Sequence, residues 1–212
     1  MSGAAPTVVV LDYGSGNVRS ACRALEQVGA VVTLTADMTV AAAAHGLVVP
    51  GVGAFAACMA GLERIGAEQL VRERLAAGRG VLGICVGMQV LFDRGVEHGI
   101  QTEGFGLWAG TVEPLVAPVL PHMGWNTVHA ASGSRLFAGV EDERFYFVHS
   151  YGVLRPGTTP GEAAGELMVS WSEHGGSFVA AVEQGPLAAT QFHPEKSGRA
   201  GQVLLGNWLS TL

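Results

Sequence analysis

Short apolar runs alternate with segments of helical spacing along the first half of the chain, and this alternation limits the fold more than any other feature. Val8 to Asp12 is an apolar run that ends in a glycine-rich turn, which is typical of a buried parallel strand. Val18 to Val28 follows with apolar residues on one helical face, and Gly29 ends it. Further strands are predicted at Val31 to Leu34, Leu47 to Pro50 and Val81 to Ile84, with helices at Ala57 to Ala77 and beginning in Gly87 to Asp93. Such an alternation predicts a parallel α/β sheet.

The second half of the chain has a different pattern, with many short apolar segments joined by turns. Strands are predicted at Leu107 to Val112, Asn126 to His129, Phe145 to Tyr151, Val169 to Ser172, Phe178 to Glu183 and Leu187 to Phe192. We expect them to extend the sheet, partly in antiparallel pairs, and Gly201 to Leu212 to form a final helix. The sequence therefore predicts a single α/β domain over residues 1–212, with a mostly parallel central sheet flanked by helices.

Composition and charge exclude several classes of partner. The formal net charge is -6 and no basic run occurs, so a nucleic-acid partner is not expected. The stretch from Met38 to Leu62 has no charged residue, but glycines and Pro50 interrupt it, so a buried strand followed by a helix is expected instead of a membrane span. Met1 to Thr7 has no basic region or long apolar core, which indicates a cytoplasmic protein.

A candidate nucleophile lies in Gly83-Ile84-Cys85-Val86-Gly87, where a strand enters, a cysteine occupies the turn and a helix leaves. Small residues on both sides of Cys85 permit a sharp, strained elbow. A helix N-terminus favours the thiolate over the thiol, and the N–H of Val86 is placed to bind an oxyanion. The alternative interpretation is a buried structural cysteine between packing glycines. The three cysteines are scattered without a CxxC pair, so neither a disulfide framework nor a metal site is predicted.

A candidate base and its orienting carboxylate lie in Gln191-Phe192-His193-Pro194-Glu195. A thiolate that forms an acyl-enzyme needs both groups. His193 follows an apolar strand, and Pro194 favours an extended backbone before it. Residues two apart in an extended segment point the same way, so Glu195 is expected to hold one imidazole nitrogen while the other faces Cys85. A plain surface turn is the alternative for this tripeptide.

These motifs resemble those of the class I, triad-type glutamine amidotransferases, and the resemblance runs nearly end to end. It is carried by Pro50-Gly51-Val52-Gly53, by Gly83 to Gln89 and by His193-Pro194-Glu195, in that order. The resemblance implies that Pro50 to Gly53 is an oxyanion strand, that Cys85, His193 and Glu195 are the catalytic triad, and that L-glutamine is hydrolysed to glutamate and ammonia. It implies no metal and no organic cofactor.

Four further segments are similar to those of one subfamily, the glutaminase subunits of imidazole glycerol phosphate synthases. They are Asp12 to Asn17, Pro121 to Asn126, Tyr146 to Tyr151 and Gln191 to Ser197. Members of this subfamily serve histidine biosynthesis and pass ammonia to a separate (β/α)₈ synthase subunit, so a heterodimer is implied. Leu120 departs from the pattern, because relatives often carry a basic residue there.

The same resemblance implies roles for individual residues beyond the triad. Residues expected to hold the substrate glutamine are Gly53, Gln89, Ser150 and Tyr151, and Val52 is expected to supply an oxyanion N–H. Residues expected to face the synthase subunit are Asn17, Trp125, Tyr146 and Lys196, the last being the only lysine of the chain. Two other functions stay open at this point: a glutaminase of another complex, such as one that makes anthranilate or pyridoxal phosphate, and a binding scaffold with an inactive site.

Overall fold

The computed structural model describes residues 4–16, 18–157 and 165–212. The helices are α1 (Val18–Gln27), α2 (Met38–Ala43), α3 (Phe55–Arg64), α4 (Ala67–Ala76), α5 (Val86–Gln89) and α6 (Gly198–Leu209). The first seven strands are β1 (Thr7–Leu11), β2 (Val31–Thr35), β3 (Gly46–Gly51), β4 (Val81–Cys85), β5 (Phe92–Glu97), β6 (Ile100–Glu103) and β7 (Trp108–Pro114). The remaining strands are β8 (His122–Thr127), β9 (Arg144–His149), β10 (Tyr151–Pro156), β11 (Met168–Glu173), β12 (Ser177–Gln184) and β13 (Leu187–Thr190).

A seven-stranded sheet forms the centre of the fold, in the order β11-β12-β13-β4-β3-β1-β2. The pairs from β13 to β2 are all parallel, whereas β11 and β12 are antiparallel. The middle strands β3 and β4 are buried at every residue, as expected for parallel strands covered on both faces. The predicted α/β fold with a mostly parallel central sheet is confirmed.

The expectation that all later strands extend the central sheet is wrong. Only β11, β12 and β13 join it, while β10, β7, β5 and β6 form a four-stranded sheet and β8 pairs with β9 alone. The predicted single strand from Phe145 to Tyr151 is in fact β9 and β10, which separate at Ser150 because the chain changes sheets there. The strand predicted at Asn126 to His129 lies earlier, as β8.

Of two helix predictions in the first half, the mostly helical stretch from Ala57 to Ala77 is confirmed and the helix beginning in Gly87 to Asp93 is wrong in extent. The helix expected over Ala57 to Ala77 is interrupted, because Gly66 takes a left-handed φ of 71° between α3 and α4. The helix expected from Gly87 to Asp93 stops at Gln89 and gives way to β5. The turn between β5 and β6 is His98-Gly99, with φ of 51° and 79°, and two positive φ values are typical of a two-residue hairpin turn.

The charge-free stretch from Met38 to Leu62 is folded into the body of the protein. It contains α2 as well as the expected strand and helix, β3 and α3. Within the described ranges, none of the helices combines the length and the apolar character that crossing a membrane requires.

Candidate active site

The carboxyl ends of three adjacent strands bring the three sequence motifs together. β4 lies between β3 and β13, and Gly51 at the end of β3 is level with Cys85 at the end of β4. The chain continues from β13 to His193 on the other side. Because parallel strands end at the same edge of a sheet, segments far apart in sequence meet there, at the edge where α/β proteins commonly bind ligands.

Cys85 occupies the sharp elbow that the sequence predicts. Its backbone adopts φ 57° and ψ −114°, a region that side-chain-bearing residues rarely occupy. Glycine is needed around it, because a Cβ on Gly51 would collide with the backbone of Val86 and Gly87. The helix that follows has only four residues. The helix dipole therefore contributes less to the thiolate than the sequence led us to expect, and most of the stabilisation must come from side chains.

His193 and Glu195 supply that stabilisation. The Nδ1–H of His193 donates to Oε1 of Glu195 over 2.8 Å, and both side chains are buried. The ring also interacts with the sulfur of Cys85. Burial lowers the pKa of His193, but the hydrogen bonds and negative charges of Cys85 and Glu195 outweigh burial and raise it to about 9. At neutral pH the arrangement therefore favours an imidazolium at His193.

The local backbone around Glu195 differs from the expectation. Pro194–Lys196 is a 3₁₀ turn, so His193 and Glu195 do not lie in one extended segment. His193 itself is extended, with φ −100° and ψ 95°, and the turn then brings the carboxylate back to the ring. Ser197 fixes this turn, since its Oγ donates to the carbonyl of His193 and accepts from the N–H of Tyr146.

A cavity of about 220 Å³ opens in front of Cys85. Its lining includes two of the three candidate catalytic residues, both candidate oxyanion residues and all four candidate substrate residues: Cys85, His193, Val52, Val86, Gly53, Gln89, Ser150 and Tyr151. Ser150 and Tyr151 reach it because the chain changes sheets at that point. Glu195 lies behind His193, where it can orient the ring without contacting a ligand in the cavity.

The oxyanion strand is held from the side opposite the cavity. The N–H of Val52 donates to Oγ of Ser15 over 3.1 Å, and the thiol of Cys58 donates to the carbonyl of Val52 over 3.4 Å. The Tyr13 hydroxyl donates to the carbonyl of Pro50. Burial raises the pKa of the Cys58 thiol and of the Tyr13 hydroxyl, so both remain protonated donors. In this arrangement the Val52 N–H is committed to Ser15.

Two buried amides connect the cavity wall with the nucleophile. Nε2 of Gln89 donates to the carbonyl of Tyr151 and to Oε1 of Gln191, each over 2.9 Å. Nε2 of Gln191 in turn lies 3.7 Å from Sγ of Cys85, within the range of a hydrogen bond to sulfur. This donor adds to the stabilisation of a thiolate at Cys85.

Three of the four predicted partner residues lie together beside the cavity. Trp125 on β8 and Tyr146 on β9 are register partners with ring centroids 6.1 Å apart, and Nζ of Lys196 lies 6.0 Å from the Tyr146 ring centre. Trp125 is 53% exposed although it is the largest apolar side-chain type. Asn17, the fourth, lies outside the described residues. Leu120, the departure from the subfamily pattern, is also exposed.

Sequence reasoning did not assign several residues that the structure places at the site. Ser15, Cys58 and Gln191 contact the oxyanion strand or the nucleophile. Ser15 and Gln191 fall within segments that carry the family resemblance, so their position in those motifs was the available signal. Cys58 has no such signal. In the parts of the chain that the structure describes, no group of three or more His, Cys, Asp or Glu is arranged to hold a metal ion.

Comparison with known proteins places these motifs in a family. The family model for class-I glutamine amidotransferases matches residues 9–211. The imidazole glycerol phosphate synthase subunit HisH of Nocardia farcinica is 61% identical over 207 residues, covering 97% of this chain and 98% of the relative. The protein of that name from Thermobifida fusca is 61% identical over 209 residues, covering 98% and 99%.

Solved structures show the same fold at low sequence identity. A putative GMP synthase protein from Thermoplasma acidophilum superimposes with a TM-score of 0.71 at 19% identity, covering 99% of this chain and 94% of the other. PurLQS from Thermotoga maritima gives a TM-score of 0.68 at 19% identity, covering 97% and 98%. The fold, the motifs and the relatives agree, and the chain belongs to the class-I glutamine amidotransferase family.

Proposed function

We propose that this chain is the glutaminase subunit of an imidazole glycerol phosphate synthase. It hydrolyses L-glutamine to glutamate and ammonia and supplies the ammonia to a (β/α)₈ synthase subunit, in cytoplasmic histidine biosynthesis. One observation carries the proposal: Cys85 sits at a strained elbow, paired with His193 and Glu195, and opens onto a cavity of about 220 Å³. The names of the relatives support the choice of complex.

The reaction proceeds in two halves on the same three side chains. The Cys85 thiolate attacks the side-chain amide carbon of glutamine and forms a tetrahedral oxyanion. The His193 imidazolium gives its proton to the leaving nitrogen, ammonia departs and a glutamyl thioester remains. His193, now neutral, takes a proton from water as the water attacks the thioester, and collapse releases glutamate and the thiolate. Glu195 orients the ring through both halves.

The oxyanion has two candidate donors, the N–H groups of Val86 and Val52. Val86 lines the cavity directly after the nucleophile, as an elbow requires. The Val52 N–H is bonded to Ser15, so the Gly51–Val52 peptide must turn before it can serve. We infer that the arrangement seen here is the resting one, and that partner and nucleotide substrate favour the turned form.

Glutamine binding falls to Gly53, Gln89, Ser150 and Tyr151, which line the cavity. The carbonyl of Tyr151 already accepts from Gln89 and from His149, so both of its lone pairs are used. Tyr151 must therefore contact the substrate through another group, its N–H or its side chain. Trp125, Tyr146 and Lys196 would meet the synthase subunit beside the cavity mouth.

Co-purification with the synthase subunit, followed by glutaminase assays, tests the proposal. We expect the two chains to form a 1:1 heterodimer. Without the nucleotide substrate of the synthase, this heterodimer should hydrolyse glutamine slowly, and the rate should rise when that nucleotide is added. The matched control is the Cys85→Ala complex, which should assemble normally and release no glutamate. A chain that neither binds the synthase subunit nor hydrolyses glutamine in its presence would contradict the proposal.

A further inference from the structure

Two buried histidines form a hydrogen-bonded series that ends at the cavity wall. Nδ1 of His122 lies 3.0 Å from Nε2 of His149, and Nδ1 of His149 lies 2.9 Å from the carbonyl of Tyr151. The two rings face each other because His122 on β8 and His149 on β9 are register partners. At the outer end, Nδ2 of Asn126 lies 3.2 Å from Nε2 of His122.

The partners at both ends fix the direction of every bond in the series. Nδ2 of Asn126 also donates to the carbonyl of Glu173, and its Oδ1 accepts from the N–H of Thr127, so the amide orientation is settled. Nε2 of His122 must then accept, and its Nδ1–H donates to His149. From the other end, the Tyr151 carbonyl can only accept, so His149 carries its proton on Nδ1. The bonding partners at both ends therefore require the same tautomer in the two rings, with the proton on Nδ1.

The series requires both rings to be neutral, and their surroundings keep them so. Burial, followed by the charge of His174, lowers the pKa of His122 to about 4. Burial also dominates at His149, whose pKa falls to about 3. Phe147 and His174 stack on the His122 ring, with centroids 4.8 Å and 4.3 Å away. A neutral His149 whose Nε2 is occupied is unsuited to replace His193 as a general base.

The series continues from the Tyr151 carbonyl towards the nucleophile. That carbonyl also accepts from Gln89, which donates to Gln191, and Gln191 donates to Sγ of Cys85. His149, Tyr151 and Gln89 line the cavity, whereas His122 does not. His122 therefore lies outside the cavity. A series of oriented hydrogen bonds connects it to three residues of the cavity lining, first His149, then Tyr151 and then Gln89.

We propose that His122 and His149 are positioning residues for glutamine hydrolysis: their fixed tautomers hold the Tyr151 carbonyl, and through Gln89 and Gln191 they align Cys85. The inference rests on the proposed function of the site. Without the His122 donor, Nε2 of the buried His149 ring is left unpaired, and the ring loses one of the two hydrogen bonds that hold its orientation. The Tyr151 segment and the Gln89 amide then lose part of their alignment.

Two substitutions at His122 separate hydrogen bonding from packing. His122→Phe keeps a ring between Phe147 and His174 but removes the donor to His149. His122→Asn loses the ring but keeps an N–H at the place of Nδ1. In the complex with the synthase subunit, we expect His122→Phe to lower kcat/KM for glutamine about three- to tenfold, the worth of one net hydrogen bond. We expect His122→Asn to stay near wild type despite a lower melting temperature.

The control is His174→Phe, which keeps an aromatic ring stacked on His122 and leaves its bond to His149 in place, while removing the bond from His174 to the carbonyl of Val119 and the charge that His174 can carry. It should leave glutamine turnover unchanged. Size-exclusion chromatography of each complex reports whether the variant folds and assembles, and ammonium-dependent synthesis reports that the synthase subunit is intact. If His122→Phe is as active as wild type, or if His122→Asn is the more damaging change, the inference is overturned. A wild-type complex without glutaminase activity would instead overturn the proposed function.

Imidazole ¹⁵N spectra of the wild-type chain test the tautomers independently of activity. We expect both rings to be neutral at pH 6 with protonated Nδ1 and unprotonated Nε2, and the His149 pattern to change in His122→Phe but not in His122→Asn. A protonated Nε2 on either ring would break the series and refute the assignment.

Discussion

In the proposed reaction, His193 gives the proton on its Nε2 to the leaving ammonia, and Glu195 holds the opposite side of the ring. The Nδ1–H of His193 donates to Oε1 of Glu195, while the other side of the ring lies beside Cys85. The pKa of about 9 means that the imidazolium persists at neutral pH. Proton transfer thus depends on the ring itself, whereas the carboxylate contributes orientation and charge.

Removing the ring should therefore cost more than neutralising the carboxylate. We expect His193→Ala to lower glutamine turnover by about 10²–10⁴-fold, the usual contribution of general acid–base catalysis. Glu195→Gln should lower it by less, because the amide oxygen can still accept from Nδ1. Steady-state kinetics of the two complexes check the order. Negligible losses in both would mean that another group acts as the base.

The buried histidines make stability depend on pH in a definite direction. The pKa of His122 is about 4 in the folded chain, against 6.5 when unfolded. The unfolded chain therefore binds the proton first, and the free energy of unfolding falls as pH drops from about 6.5 towards 4. We expect wild type to lose about 1–2 kcal/mol more than His122→Phe between pH 7 and pH 5, since phenylalanine cannot bind a proton. Urea unfolding at both pH values measures this difference, and equal losses would contradict it.

At the scale of elements, the end of β3 is held firmly in position, but the Gly51–Val52 peptide that follows it can still rotate. Gly51 packs against the backbone of Val86 and Gly87, so the segment cannot shift as a whole. Among the residues that the structure describes, the Ser15 hydroxyl is the one acceptor for the N–H of the Gly51–Val52 peptide. A single hydrogen bond is weak enough for a partner to reverse.

Substitutions at Ser15 and Val52 should change the rate of glutamine turnover in opposite directions. Ser15→Ala removes the acceptor of the Val52 N–H and should raise hydrolysis by the isolated chain about two- to tenfold.

Val52→Pro removes the N–H and should lower glutamine-dependent turnover of the complex by about 10²–10³-fold, the usual effect of a lost oxyanion donor. Val52→Ala keeps the N–H and serves as the control. If the proline variant makes product normally from both ammonium and glutamine, Val52 is not the donor.

The elements that the sequence predicts well are those with local signals. β1, α1, β3 and β4 have clear apolar periodicity, and they place Cys85 within the predicted elbow. β5 and β6 were missed although His98-Gly99 is a hairpin signal, because the apolar run after Cys85 resembles a helix. β8 was displaced because Met123 and Trp125 are apolar but exposed, which obscures the alternation.

The candidate site likewise contains residues that a local sequence signal predicts and contacts that no local signal predicts. Each member of the triad stands in a short motif whose chemistry is readable from the sequence. The contacts of Ser15, Gln191 and His122 join separate segments of the chain, and the Gln191–Cys85 pair is 106 positions apart. Such pairings depend on strand order and register, which one sequence does not specify.

For the molecule as a whole, the expected contact with the synthase subunit is the aromatic pair beside the cavity, Trp125 and Tyr146. Trp125 is half exposed, and large aromatic anchors often dominate an interface, with losses of about 2 kcal/mol or more on truncation. Trp125→Ala should therefore raise Kd for the synthase subunit by about 30-fold. Calorimetry of the isolated subunits measures it, with Val40→Ala as a control at an exposed apolar site on α2. Unchanged affinity would place Trp125 outside the interface.

In the proposed reaction, Cys85 removes the amide nitrogen of glutamine and the synthase subunit uses it. The most direct measurement follows that nitrogen: the complex receives amide-¹⁵N-glutamine with the nucleotide substrate in a background of unlabelled ammonium, and the ¹⁵N content of the imidazole product is determined. We expect labelled product from the wild-type complex and only unlabelled product, formed from ammonium, from the Cys85→Ala complex. Labelled product from the Cys85→Ala complex, or only unlabelled product from a wild-type complex that hydrolyses glutamine, would show that Cys85 does not supply the nitrogen.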